Sequence, residues 1–184
     1  MDQGSIHVQR IVSSNGDLLR DFAQLLHQQN GTESIEESLN GIHQSLQLFD
    51  FLGADSNYGG EKSPPRQSHF FIAHVGDAPA GYIAVQRIPK ADARGGFYFV
   101  DELFVSENFR RRGVGRRLLN RVQSLLCEVG DAAGVRLLVR CENDRAQQLY
   151  RNEGFVLSET LFGQYYPVTQ QKLQQQEQQT ANTE

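Results

Sequence analysis

One pattern constrains the fold of this chain more than any other: a strand, a glycine-containing turn, a long helix and a second strand in succession. The strand FYFVDELFV (residues 97–105) is rich in aromatic and β-branched residues. Apolar residues then recur at helical spacing over residues 114–129, and Gly130 ends that helix. A buried strand, VRLLVRC, follows at residues 135–141. Strand, helix and strand in this order predict a parallel pair with a crossover, and so an α/β protein.

The N-terminal part predicts one strand and two helices. Residues 6–12 alternate in the manner of a strand. An apolar stripe at helical spacing then begins near Asp17 and ends at Asn30. Ser34 and Glu37 form a capping box, which indicates the start of a second helix.

A β-hairpin is predicted next. The two strands, His69–Val75 and Gly81–Ile88, are separated by the turn residues Gly76, Asp77 and Pro79. Because the strand at residues 97–105 follows closely, it is expected to extend the antiparallel part of the sheet.

The chain length and composition indicate one globular domain. Its 184 residues are 39% apolar and 22% charged, values that exclude disordered, collagen-like and membrane chains. We assign residues 1–168 to a single domain and the Gln-rich residues 169–184 to a disordered tail. Residues 53–67 combine glycine, proline, serine and charge without an apolar period, which favours a long loop.

Several functional classes are disfavoured by the sequence. The net charge of −4 argues against a nucleic-acid binder. No secretory or membrane-spanning segment is evident, so no membrane association and a cytoplasmic location are expected. Cys127 and Cys141 are interpreted as small buried thiols. The five histidines lack metal-ligand spacing, so no metal site is predicted.

A candidate anion site lies between the strand and the long helix. In the segment RRRGVG (residues 110–115) glycines allow a tight turn and leave backbone N–H groups uncovered. The helix N-terminus adds about half a positive charge. Whole charges come from Arg110, Arg111, Arg112, Arg116 and Arg117. Taken alone, the segment fits a polyphosphate site and a solvated basic loop about equally well.

Two motifs together resemble the GNAT superfamily of acetyltransferases. Arg110, Gly113 and Gly115 match its pyrophosphate-binding R-x-x-G-x-G signature, directly after a strand that reads DELFV. A second segment is similar to the N-x-x-A-x-x-L-Y-x-x-x-G-F pattern of the family. Its matching residues are Asn143, Ala146, Leu149, Tyr150, Gly154 and Phe155. The resemblance covers residues 97–156, and the first 96 residues fit only in the order of their elements.

The resemblance implies a mixed sheet with antiparallel N-terminal strands, a splayed parallel pair and helices on both faces. It also implies acetyl-CoA as co-substrate, with the pantetheine arm between the splayed strands. The residues it implies for that cofactor are Leu103, Phe104, Val105, Arg110, Arg111, Arg112, Gly113, Val114, Gly115, Arg116, Asn143 and Tyr150. Asn143 also suits a helix N-cap, so both roles stay open.

Three catalytic candidates follow from the same resemblance. Tyr150 matches the tyrosine that donates a proton to the departing thiolate, while a buried core tyrosine is the alternative. Asp101 and Glu102 lie where an acid would orient the amine or take its proton. Side chains alternate along a strand, so only one should face the cleft, and a bulge would reverse the count. Both acids are kept without ranking.

The predicted activity is acetyl-CoA-dependent N-acetylation of a small cationic amine by direct attack. Paired acids in the middle of a strand and an acidic N-terminal half favour a positively charged acceptor. Acetylation of a protein N-terminus or lysine is one alternative, and an acetyl-CoA-binding regulatory module without turnover is another. An acyl-carrying Cys141 is disfavoured because no histidine lies near it in the sequence. The oligomeric state, including a homodimer, is left open.

Overall fold

A mixed five-stranded sheet forms the centre of the protein. The computed structural model describes residues 5–11, 15–31, 34–43, 68–89, 96–130 and 132–159, and the sheet lies within these. Its strands, in chain order and in spatial order, are β1 (Ile6–Arg10), β2 (Ser68–Val75), β3 (Ala78–Ile88), β4 (Phe97–Val105) and β5 (Val135–Leu137). The pairs from β1 to β4 are antiparallel, and β4 pairs with β5 in parallel. The predicted fold class is confirmed.

Helices flank the sheet and follow the predicted caps. They are α1 (Gly16–Asn30), α2 (residues 35–43 of the described part), α3 (Val114–Val129) and α4 (Asp144–Asn152). The Asn15 side chain accepts from the N–H of Leu18 at 3.1 Å, and Gly31 ends α1 in the left-handed conformation. The Ser34 hydroxyl accepts from the N–H of Glu37, which is one of the hydrogen bonds of the predicted capping box.

The sheet separates two apolar cores. On one face, α3 and α4 cover a cluster that includes Phe71, Ile83, Leu118 and Tyr150; we call this the α3 face. On the other, α1 and α2 cover a second cluster, the α1 face. Its buried members are Ile11, Leu18, Leu19, Phe22, Ala23, Leu25, Ile42, Ile72 and Tyr82. The buried apolar residues of the strands therefore pack in one of two distinct cores.

A bulge in β4 changes which face its residues meet. Val85 pairs with Val100 but Ala84 pairs with Glu102, so Asp101 is an extra residue in β4. Before the bulge, Val100 packs in the α3-face core, and after it Leu103 packs there as well. Strict alternation would place residues 100 and 103 on opposite faces. The bulge thereby turns Glu102 toward the α1 face.

Two predicted strands differ from the structure. β5 ends at Leu137, so residues 138–141 of the predicted strand are not part of the sheet. The pattern after Gly154 also predicts a strand, Phe155 to Leu161, but residues 155–159 have no strand structure. The apolar content of these segments comes from single residues packing on the α3-face core, such as Val139 and Leu157. Packing of this kind produces the same sequence pattern as a short strand.

Other sequence interpretations also need correction or fall outside the described residues. Cys127 and Cys141 are exposed rather than buried. Cys141 lies in a turn beyond the end of β5, where none of the described strands covers it. Pro79 lies inside β3, so Gly76 and Asp77 alone form the hairpin turn. The predicted loop 53–67, the end of the second helix and the tail 169–184 lie outside the described residues.

Candidate active site

An open slot lies between β4 and β5. The two strands pair only from Tyr98 with Val135 to Val100 with Leu137. β4 continues to Val105, and its other edge stays paired with β3 along this stretch. Five residues of β4 thus have no β5 partner, which leaves a backbone edge of roughly 16 Å at 3.3 Å per residue. Unpaired N–H and C=O groups on such an edge can bind an extended ligand as a strand would.

The side chains at this edge point to both faces. Leu103 and Val105 pack on the α3-face core, whereas Phe104 packs on the α1-face core. A Cβ atom on Gly81 would lie 2.5 Å from the Phe104 carbonyl oxygen, so only glycine permits this close approach of β3. The Arg110 Nε donates to the Val105 carbonyl at 3.0 Å, which fixes the end of β4.

The glycine loop after β4 presents uncapped N–H groups. Gly113 is the N-cap of α3, with φ of 86°, and no side chain caps this helix. By contrast, α1 and α4 each have an asparagine cap whose side chain accepts a backbone N–H. Arg111 also has a positive φ, 67°. Alternating signs of φ turn successive N–H groups toward one concave side, which favours an anion there.

The arginines around this loop have different roles. Arg110 bonds to Glu107 as well as to Val105, and Arg112 lies over the Phe109 ring at 5.6 Å. Arg116 forms an ion pair with Glu153 at 2.6 Å, which ties the first turn of α3 to the end of α4. Arg111, Arg112 and Arg117 are exposed and have no hydrogen-bond or ion-pair partner among the described residues. Their guanidinium groups are therefore available to an anion.

Gly115 brings three elements together at the loop. A Cβ atom there would lie 3.1 Å from Leu149 Cδ2 and 3.7 Å from Val105 Cγ2. The start of α3, the end of β4 and the middle of α4 thus meet at one glycine. Val114, the next residue back, is buried in the α3-face core. The two sequence motifs, far apart in the chain, are contiguous in the fold.

Asn143 and Tyr150 lie at the start and near the end of α4. The Asn143 side chain accepts from the N–H of Ala146 at 3.1 Å, so its capping role is confirmed. Tyr150 is 7% exposed and packs edge-to-face on Phe155. A phenol is already protonated at neutral pH at its ordinary pKa of about 10, and burial raises the pKa of Tyr150 further. No described residue hydrogen-bonds to its hydroxyl.

The two candidate acids lie in different surroundings. Asp101 is exposed, and its carboxylate accepts a long hydrogen bond, 3.4 Å, from Gln86. Glu102 is partly buried, and the Tyr82 hydroxyl donates to its Oε2 at 2.5 Å. The same hydroxyl lies 2.5 Å from Gln29 Oε1, at the end of α1. Glu102 is thus held beside α1, while Asp101 projects from the bulge.

Tyr82 and Gln29 are the site residues that sequence reasoning missed. Tyr82 stands in an apolar strand pattern, GYIAV, and Gln29 lies in the polar last turn of α1. A half-buried acid on a strand calls for a donor on its neighbours. This requirement for a donor favours a tyrosine on β3, but the register that places Tyr82 beside Glu102 depends on the bulge.

The structure argues further against a nucleophilic cysteine. The Cys141 thiol donates to Glu142 at 3.0 Å, and this hydrogen bond and the glutamate charge raise the thiol pKa. An activated cysteine has a lowered pKa instead. In the described ranges, no cluster of three or more histidine, cysteine or acidic residues could hold a metal ion. His69 and His74 bond to Arg10 and Asp21, respectively.

Comparison with known families decides the assignment. Residues 66–157 match the model of the Acetyltransferase (GNAT) domain, half of the chain. The chain belongs to the GNAT acetyltransferase family. This GNAT acetyltransferase is therefore an acyltransferase, as its two motifs predicted. A comparison with curated proteins found no match.

Solved structures share the fold of this GNAT acetyltransferase at low sequence identity. An aminoglycoside acetyltransferase from an uncultured soil metagenomic sample, in complex with sisomicin, is 15% identical with a TM-score of 0.66, over 89% of this chain and 96% of that one. The aminoglycoside acetyltransferase AAC(6')-Iy, in complex with the bisubstrate analogue CoA-S-monomethyl-acetylneamine, is 18% identical with a TM-score of 0.65, over 89% and 99%.

A third similar structure comes from Brucella melitensis biovar Abortus 2308. It is a ribosomal-protein-alanine N-acetyltransferase, 13% identical with a TM-score of 0.63, over 88% of this chain and 99% of that one. At such identities the likeness shows the fold alone. Among the described helices, none is long and apolar enough to cross a membrane.

Proposed function

We propose that this GNAT acetyltransferase transfers an acetyl group from acetyl-CoA to a primary amine of a small cationic molecule. The observation that carries the proposal is the division of β4 by its bulge. The α3 face joins the uncapped glycine loop, the open strand edge and Tyr150, whereas the α1 face holds Glu102. One side suits the acyl carrier and the other suits the amine.

The residues around the slot fit acetyl-CoA. N–H groups at Gly113 to Arg116 would hold the pyrophosphate, with Arg111 and Arg117 adding charge. The edge of β4 from Leu103 to Val105 would bind the pantetheine arm through its backbone, beside α4. Acetyl-CoA supplies a thioester whose carbonyl carbon accepts the amine. AAC(6')-Iy, the similar fold described above, has also been solved with CoA.

The chemistry assigned to this chain is proton transfer at two atoms. The amine nitrogen forms a bond to the acetyl carbon, and the bond from that carbon to sulfur breaks. We assign the amine proton to Glu102, directly or through water, because its carboxylate is partly buried and held by the Tyr82 hydroxyl, while Asp101 is exposed. The Tyr150 phenol, which is protonated at neutral pH, donates to the departing thiolate.

A cationic acceptor follows from the charge at the acceptor face. Asp101, Glu102 and the Gln29 side-chain oxygen present negative or partly negative groups there. Acidic groups attract cations and repel carboxylates over distances of about a Debye length, roughly 8 Å at physiological salt. The solved structures of similar fold include two aminoglycoside acetyltransferases, one of them in complex with sisomicin.

A panel of amines tests this function. Release of CoA thiol from acetyl-CoA is measured with an aliphatic diamine, a monoamine of the same length and an amino acid of the same length. The diamine should give the highest kcat/KM and the amino acid the lowest, with rates rising above neutral pH because the attacking amine must be neutral. Equal rates for all three, or no thiol release with any amine, would contradict the proposal.

Acetylation of protein N-termini is the second candidate. It is favoured by the structural likeness to a ribosomal-protein-alanine N-acetyltransferase. A peptide with N-terminal alanine belongs in the same panel. If the peptide has a higher kcat/KM than every small amine, the acceptor is a protein and the small-molecule assignment is wrong.

A further inference from the structure

Tyr82 is the one fully buried polar side chain that reaches a candidate catalytic group among the described residues. It is 0% exposed on β3, in the α1-face core. Its ring packs edge-to-face on Phe22, with centroids 4.8 Å apart, and lies 5.9 Å from the ring of Phe104. Aromatic rings on both sides fix the ring, and with it the position of the hydroxyl oxygen.

The hydroxyl has one proton and two acceptors beside it. Glu102 Oε2 and Gln29 Oε1 each lie 2.5 Å away. A charged carboxylate is the stronger acceptor, and 2.5 Å lies within the range of charge-assisted O–H···O⁻ bonds. The proton therefore lies toward Glu102. The other carboxylate oxygen, Oε1, has no hydrogen-bond partner in the part of the chain that the structure describes.

We infer that Tyr82 is a positioning residue, which holds Oε2 of Glu102 so that Oε1 faces the amine. The inference rests on the proposed function, because it presumes that Glu102 orients or deprotonates the amine. Glu102 follows a bulge in β4 and pairs with β3 but not with β5, so a neighbouring strand flanks its side chain on one side only. The rigid Tyr82 hydroxyl supplies the second restraint.

Gln29 extends this contact to the end of α1. It is exposed, yet its side chain reaches the same hydroxyl. The acceptor site therefore joins three separate parts of the chain, namely α1, β3 and β4. Removing the Gln29 amide should have a smaller effect than removing the Tyr82 hydroxyl, because Gln29 does not touch Glu102 in the described contacts.

A double-mutant cycle tests the inference on the full chain. The variants are Tyr82→Phe, Glu102→Gln and the double variant, with Tyr98→Phe as matched control. Tyr98 is 1% exposed on β4 but faces the α3-face core, so its substitution also removes a buried hydroxyl. Thermal unfolding of each variant, with and without acetyl-CoA, shows whether the fold and the cofactor site persist.

The expected result is a coupled loss confined to the amine. Tyr82→Phe should lower kcat/KM for the amine roughly ten- to hundredfold, the size expected for a lost hydrogen bond to a charged group, with KM for acetyl-CoA unchanged. In the Glu102→Gln background the same substitution should change kcat/KM far less. Tyr98→Phe should leave kcat/KM for the amine close to that of the wild type.

Two kinds of result would overturn the inference. Equal losses from Tyr82→Phe in the wild-type and Glu102→Gln backgrounds would mean that Tyr82 acts independently of Glu102. A loss no larger than that of Tyr98→Phe would mean that Tyr82 only supports the core. Failure of the proposed function is distinct from both, because the wild type itself would then transfer no acetyl group to an amine.

Discussion

The two sides of β4 differ in how their functional groups are built. On the α3 face, the glycine loop, Tyr150 and Asn143 belong to two short sequence motifs that lie at element boundaries. On the α1 face, Glu102, Tyr82 and Gln29 come from three elements and share no motif. The proposed cofactor side is thus local in sequence, whereas the proposed acceptor side depends on tertiary register.

The difference teaches which residues a sequence can reveal. A cofactor common to a family is bound by backbone groups, and a backbone turn needs glycine at fixed positions. An acceptor is recognised by side chains, which any element facing the cleft can supply. If the two sides also act separately, a substitution on one side should change the kinetics of one substrate and spare the other.

The largest expected effect is at Glu102. Glu102→Gln should lower kcat/KM for the amine by a factor of about 10² to 10⁴, the usual contribution of a general base. Asp101→Asn serves as the matched control, because Asp101 is adjacent but exposed on the bulge. Steady-state kinetics of the two variants decide the ranking. If Asp101→Asn causes the greater loss, Asp101 is the base.

Tyr150→Phe should come next. Loss of the proton donor should lower kcat by a factor of about 10 to 10³, with KM for acetyl-CoA nearly unchanged. Since the ring is buried against Phe155, phenylalanine keeps the packing and removes only the hydroxyl. Turnover equal to that of the wild type would assign Tyr150 to the core alone.

The glycine loop is tested by an added charge. Gly113→Asp should remove the thermal stabilisation by acetyl-CoA, which is about 2.7 kcal/mol for the wild type at 100 times the dissociation constant. A new Cβ has space, since the nearest atom is Ile6 Cδ1 at 4.0 Å, but the positive φ of Gly113 strains any other residue there. Gly130→Asp is the matched control, because it introduces the same residue at the opposite end of α3, where φ is also positive. Equal acetyl-CoA shifts in both variants would contradict a phosphate site at the loop.

The smallest effect is on stability at high pH. Burial, followed by the hydrogen bond and charge of Glu102, raises the pKa of Tyr82 above its ordinary value of about 10. Above about pH 10 the phenol therefore ionises more readily in the unfolded chain than in the folded one. The buried phenol stabilises the fold below that pH, and this stabilisation is lost as the pH rises. Above about pH 10, the free energy of unfolding should fall less steeply with pH in Tyr82→Phe than in the wild type. The two slopes should differ by up to about 1.4 kcal/mol per pH unit. Parallel curves above pH 10 would mean that Tyr82 is not buried as described.

Most of the fold could be predicted because its signals are local. The bounds of β4 and α3 match the predicted ranges, since alternating and helical apolar patterns end at Gly96, Gly113 and Gly130. The end of β5 could not be predicted, because residues 138–141 have a strand-like composition but no partner at the splay. A missing partner leaves no mark on the sequence of the strand itself.

The acceptor side could be predicted only in part, because of the bulge. Asp101 and Glu102 were both identified as candidates, but their faces follow from one extra residue in β4. Bulges are specified by pairing with the neighbouring strand rather than by the strand's own residues. The sequence does not reveal Tyr82 as a site residue for the same reason, since only the register of β3 with β4 brings it to Glu102.

A kinetic analysis that varies both substrates tests the division between the two sides most directly. Gly113→Asp should raise KM for acetyl-CoA and leave KM for the amine unchanged. Glu102→Gln should reduce kcat/KM for the amine and leave KM for acetyl-CoA unchanged. Two results would contradict the assignment of cofactor and acceptor to opposite sides of β4. One is a wild-type KM for acetyl-CoA in Gly113→Asp. The other is a raised KM for acetyl-CoA in Glu102→Gln with kcat/KM for the amine unchanged.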